Sequence, residues 1–117
     1  MATLTPTLTL ASTDATSDVL SMTVTDTLAI AQKVIAPSKI KLSTGDLTLF
    51  AAASYSRSYV YLKNLDSSIA MDIDFGTAAS FNLAAGEFAW FPWHASLNIV
   101  AVADSGTPYL EYAIFEA

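Results

Sequence analysis

The stretch SYVYLKN, residues 58–64, sets Tyr59, Tyr61 and Lys63 on one side of an extended chain and Val60 and Leu62 on the other. Successive side chains of a β-strand point to opposite faces, so apolar residues at every second position mark a half-buried strand rather than a helix face. The same period of two recurs along the chain. Leu4, Leu8 and Leu10 alternate with Thr3, Thr5, Thr7 and Thr9, broken at Pro6. Leu20, Met22 and Val24 share one face, and Ile69, Met71, Ile73 and Phe75 lie opposite Asp72 and Asp74. Threonine and the β-branched residues suit such a pleated surface.

Further strands are expected in KIKLS (39–43), DLTLFAA (46–52), SFNL (80–83), EFAWF (87–91), LNIVAVA (97–103) and YLEYAIFE (109–116). LAIAQKVIAP (28–37) reads as a strand closed by Pro37, because Ile30, Val34 and Ile35 are β-branched. Turn-forming clusters separate these runs at Ser43–Gly45, Asn64–Ser68, Ala84–Gly86 and Asp104–Pro108. Short strands punctuated every ~8–12 residues, without strand–helix alternation, predict an all-β fold. The form expected is an antiparallel β-sandwich of jelly-roll or Greek-key type.

The 117 residues are enough for one core. All thirteen aromatic residues fall at Phe50 or later. Aromatic rings bury the most surface per residue, so the core is expected in the C-terminal two thirds. Residues 1–17 are Thr-rich and Pro-interrupted and are expected to form an N-terminal arm, with 18–117 as a single β-sandwich domain. Such an arm either pairs with its own sheet or adds a strand to a neighbouring subunit. Its Leu4, Leu8 and Leu10 are therefore candidate interface residues.

Charge narrows the function classes. Net charge is −6, with only Lys33, Lys39, Lys41, Arg57 and Lys63 as cations, which argues against nucleic acid as a partner. There is no cysteine for a disulfide or a thiolate metal site. No signal-peptide pattern and no apolar run of membrane-spanning length are evident, so synthesis in the cytoplasm and no membrane partner are expected.

Catalysis finds few candidates. His94 is the only imidazole and has no acid beside it in Pro-Trp-His-Ala; no serine sits in a G-x-S-x-G elbow. The four glycines are isolated turn residues and form no phosphate loop. Asp72 and Asp74 share a strand face and could together hold Ca²⁺ or act as an acid/base pair, but a solvated polar face opposite Ile69, Met71, Ile73 and Phe75 is the preferred reading. No catalytic residue, cofactor or metal is expected.

The aromatic segment GEFAWFPWHASL (86–97) is the remaining feature. Alternation puts Glu87, Ala89 and Phe91 on one face and Phe88 and Trp90 on the other, with Gly86 opening the strand and Pro92 ending it. A strand apolar on both faces is either central between two layers or covered by another subunit. Stacking of sugar rings on these aromatics is the alternative. Phe91 is a candidate interface residue, as are Trp93 and His94, which are expected past the strand end at a rim.

From Tyr59 to Ala117, half of the chain, the order of features resembles small structural proteins of tailed bacteriophages. A YVYLKNLD-like strand and loop precedes a GEFAWFP segment, and the closing strand ends in something like LEYAIFEA. The opening TPTLTLASTD…SDVLSMTVTDTLAI is similar to their threonine-rich openings. The resemblance implies a virion component: a capsid decoration or cement protein, or a tail or neck piece. It implies a β-sandwich that assembles as a trimer or larger ring, with the major capsid protein or other virion proteins as partners. It carries no catalytic residue to transfer. A carbohydrate-binding or receptor-binding β-sandwich of a tail or adhesin is the alternative function.

Overall fold

The computed structural model describes residues 2–31 and 34–117. The chain divides into two compact units, Met1–Gln32 and Lys33–Ala117. Lys33, one of the five cations, lies outside the described residues.

The first unit contains β1 (Ala2–Leu4), β2 (Thr7–Ser12), β3 (Leu20–Thr25) and β4 (Leu28–Ile30). β1 pairs antiparallel with β4, and β2 with β3. The β2–β3 register sets Leu8 opposite Val24 and Leu10 opposite Met22, while Thr7 faces Thr25 and Thr9 faces Thr23. Directly opposed residues share a face, so one side of this ribbon is apolar and the other is threonine. The Thr7 and Thr25 hydroxyls lie 3.3 Å apart across it. The N-terminal strands thus pair with each other. Residue 17 lies in the loop between β2 and β3.

The second unit contains β5 (Val34–Lys41), β6 (Leu47–Phe50), β7 (Ser58–Asn64), β8 (Met71–Phe75), β9 (Ala78–Leu83), β10 (Phe88–Trp93), β11 (Ile99–Ala103) and β12 (Tyr109–Glu116). One sheet has the order β10-β7-β12-β5 and the other β6-β11-β8-β9, with every pairing antiparallel. Along the chain, strands pass between the sheets at every step except the β8–β9 hairpin. Eight strands so connected form a jelly roll, one of the two antiparallel sandwich types expected from the sequence.

The inward positions are the every-second residues of each strand. Val60 and Leu62 of β7, Leu110 and Ile114 of β12, Met71 and Ile73 of β8, and Ile99 and Ala101 of β11 are all fully buried. Phe50 and Leu42 complete the layer, with Phe50 meeting Tyr112 edge-on at 5.8 Å. One polar side chain lies among them. Asn64, 0 % exposed, donates from Nδ2 to the carbonyls of Ile69 and Leu83 and accepts at Oδ1 from the Asp66 N–H, so it ties the 64–69 loop to β9. A buried amide is tolerated because these partners replace water.

Two sequence expectations about proline are corrected. Pro37 does not close a strand: the 28–37 stretch divides into β4 and β5, and Pro37 lies within β5. Pro92 does not end its strand either, since β10 runs through it to Trp93, with Pro92 opposite Tyr59. Both strands are sheet edges, where a missing N–H leaves no ladder bond unmade. It follows that β10 is an edge strand rather than a central one.

All four edges are blunted. β5 has Pro37 and a register shift opposite Ala113, and β10 has Pro92. β6 is four residues long with a shift at Leu49, and β9 is bulged at Ser80, between the Ile73–Phe81 and Asp74–Ala79 pairs. Short, bulged or proline-bearing edges discourage strand addition. Contact by this unit is therefore favoured on its faces.

Candidate contact face

The outer face of the β10-β7-β12-β5 sheet collects side chains from four strands. Across it run the row Phe88, Lys63, Glu111 and Lys39, the row Trp90, Tyr61 and Ala113, and the row Pro92, Tyr59, Phe115 and Val34. Tyr109 and Lys41 extend it at one end. Phe88 is 59 % exposed and Trp90 36 %.

The rings pack on one another. Trp90 and Tyr59 lie near-parallel, 10° apart with centroids at 6.1 Å, and Phe115 reaches Trp90 at 6.1 Å and 53°. The Arg57 guanidinium lies 5.2 Å from the Tyr59 ring centre and donates to its hydroxyl at 3.0 Å. Lys39 Nζ stands 5.4 Å from the Tyr109 ring centre. Cations over aromatic faces are attracted by the ring quadrupole. Tyr61 donates to Glu111 Oε1 at 2.7 Å; burial, followed by that hydrogen bond and the Glu111 charge, pushes the phenol up to about 12. The bond also ties up the acid at the centre of the face. Arg57, Lys39, Lys41 and Lys63 are all of the described cations, and each stands on or beside this sheet face.

The other sheet presents the opposite chemistry. Asp72 and Asp74 point outward from β8 beside Val100 and Val102 of β11, with Asp46 preceding β6 and Asp104 following β11. Asn82 donates to Asp72 Oδ1 at 2.7 Å and reaches Asp104 Oδ2 at 3.5 Å. Asp74 is raised above the usual aspartate value by desolvation, then by the charges of Asp72 and Asp46. Among the described residues no three His, Cys, Asp or Glu side chains are grouped to hold a metal ion.

The sequence-derived interface candidates scatter. Leu8 and Leu10 are 43 % and 42 % exposed on the β2–β3 ribbon, while Leu4 is half-buried opposite Leu28. Phe91 is half-buried among the core rings, edge-on to Phe75 at 5.8 Å and Phe81 at 5.9 Å. Trp93 is corrected: it is a core residue, 4 % exposed, packed near Phe50 and Tyr55, with Nε1 donating to the Leu97 carbonyl. It faces inward because β10 continues past Pro92 and keeps alternation with Ala89 and Phe91. His94 follows it on the surface, exposed. Tyr59, Tyr61, Phe88, Trp90 and Phe115 do not stand out as a group in the sequence, because alternation gives each strand its faces but not its neighbours.

A shallow apolar hollow beside β10 is lined by Phe75, Phe81, Ala89, Trp90, Phe91 and Pro92. It lacks the convergent polar groups that orient a small ligand. Among the described residues no helix is long and apolar enough to cross a membrane. No protein-family model, curated protein or solved structure matches this chain.

Proposed function

We propose that this chain is a non-enzymatic virion structural protein, a capsid decoration or cement subunit, that holds its partners through the outer face of the β10-β7-β12-β5 sheet. The observation that carries the contact role is the exposure of Phe88 and Trp90 on the outward side of an edge strand, continuous with Tyr59 and Phe115. Large aromatics at the centre of a surface patch are the residue types that dominate interface energies, each contributing about 2 kcal/mol or more when fully covered. Blunted edges direct contact to this face rather than to strand addition. The virion assignment itself draws on the phage-protein resemblance. The jelly roll is compatible with it, since that architecture serves in viral capsids and also in lectins, and the fold by itself decides neither.

The test is co-sedimentation of the chain with phage heads, comparing wild type with Phe88→Ser/Trp90→Ser. Both residues point outward, so circular dichroism of the double variant is expected to match wild type. Particle binding is expected to fall at least about tenfold, equivalent to ~1.4 kcal/mol. A wild-type chain that never co-sediments with particles overturns the virion reading. Trp90-dependent signal on a glycan array moves the assignment to a carbohydrate-binding module.

A further inference from the structure

We infer that the partner seated on the cation-ringed aromatic face is a second copy of this chain, presenting the aspartate face of its other sheet. The inference rests on reading the first face as a contact surface and adds what covers it.

The two outer faces of the sandwich carry complementary charge. On one, Arg57, Lys39, Lys41 and Lys63 surround Phe88, Trp90 and Tyr59, and the acid among them, Glu111, is engaged by Tyr61. On the other lie Asp46 and Asp104, exposed, with Asp72 and Asp74 half-buried between them beside the buried Val100 and half-buried Val102. In a chain of net charge −6, segregating every described cation onto one sheet is the arrangement that makes an acidic protein attractive to its own kind. Like faces repel each other, which excludes a symmetric pair made from two aromatic faces or two aspartate faces. Unlike faces attract and orient the encounter.

Such a contact is heterologous, with a different patch on each partner. Because the patches lie on the two outer sides of one sandwich, repetition adds copies in a row rather than closing a two-fold dimer. The pairs are solvent-exposed and so are screened by salt, with a Debye length of about 10 Å at 0.1 M and about 3 Å at 1 M.

Sedimentation velocity over a concentration series, on the full chain without particles, tests this. Wild type is expected to form species larger than a dimer at low salt and to disperse in about 1 M salt. Lys39→Glu/Lys41→Glu is expected to lose the fast boundary, and so is Asp46→Lys/Asp104→Lys; all four positions are exposed, so the fold is retained. An equimolar mixture of the two variants is expected to recover it, since each reversed face then meets a complementary one. A wild-type monomer at every concentration, a closed dimer, association indifferent to salt, or a mixture that stays monomeric each overturns the inference. If wild type stays monomeric while Phe88→Ser/Trp90→Ser still loses particle binding, the contact face stands and only the identity of its occupant falls. If neither assay responds to that double variant, both readings fall.

Discussion

Residues 2–31 and residues 34–117 are written in the same period-two alphabet and reach different ends. In the first set only Ile30, 6 % exposed, is buried, and Leu8, Leu10, Met22 and Val24 keep 40–53 % of their surface open. In the second, alternation over eight strands closes two sheets on a layer of fully buried side chains. The two-stranded β2–β3 ribbon has one apolar face, and that face stays largely open, whereas two packed sheets cover each other. Alternation therefore makes strands, and the number of sheets they form decides whether a core exists. Stability should reside in the sandwich.

The sharpest way to break that comparison is to truncate one side chain in each part. Ile114→Ala, at a fully buried position of β12, is expected to cost about 2–5 kcal/mol, through lost transfer energy and the cavity left behind. Leu10→Ala, on the exposed ribbon face, is expected to change stability by less than about 0.5 kcal/mol. Denaturant titration of both variants measures the contrast, and equal losses would mean the ribbon shares the core's cooperativity. The next effect is polar. Asn64→Leu leaves the Ile69 and Leu83 carbonyls and the Asp66 N–H without their partner, and a loss of about 2–4 kcal/mol is expected in the same titration.

Much of the sandwich was legible because periodicity is a local signal. Val60, Leu62, Met71 and Ile73 each announce an inward face from their own strand alone, and turn clusters mark where strands end. Strand order is a different kind of information. Pro37 and Pro92 read as stops because the sequence does not say which strands are edges, and only an edge lets a proline stay in a strand. Trp93 reads as a rim residue for the same reason, since a strand ended at Pro92 takes it out of alternation with Phe91. The contact face shows the limit most plainly. Tyr59 and Tyr61 share a face by local pattern, but bringing Trp90 and Phe115 to them takes the β10-β7-β12 register, which is fixed by long-range pairing.

Turn conformation offers effects of opposite sign. Gly86 has φ of +81° and open space around its Cα, so Gly86→Ala meets no clash and loses only the backbone preference, about 1 kcal/mol. Ala95 already bears that strain at φ +63°, in the loop closed by the Trp93–Leu97 hydrogen bond. Ala95→Gly is therefore expected to stabilise by up to about 1 kcal/mol, read as a higher denaturation midpoint. Both sites belong to the sandwich, and a shift of the same sign in both variants would refute the backbone account.

The smallest effects concern two aspartates of the sandwich whose pH dependences run in opposite directions. The N–H groups of Ser68 and Ile69 donate to Asp66 at 2.9 and 2.7 Å and hold its carboxyl below the usual 3.8. The stability it contributes is present above that ordinary value and is lost as pH falls through the lowered one. Asp74 is raised instead, by desolvation first and then by Asp72 and Asp46, the Ser80 N–H offsetting part of this. Its Oδ1 is buried without a hydrogen-bond partner. A carboxyl raised in the fold favours folding when protonated, so its contribution is fully present below the unfolded value and is lost as pH rises through the folded one. Asp66→Asn should accordingly lower Tm near pH 7, with the loss shrinking as pH falls below the ordinary carboxylate value and through the lowered native one. Asp74→Asn should raise Tm near pH 7, with the gain disappearing in acid. Neither change should alter the β2–β3 ribbon, so circular dichroism melts of the two variants across this range isolate the sandwich; a Tm shift of the same sign in both near pH 7 would contradict the opposed environments of the two carboxyls.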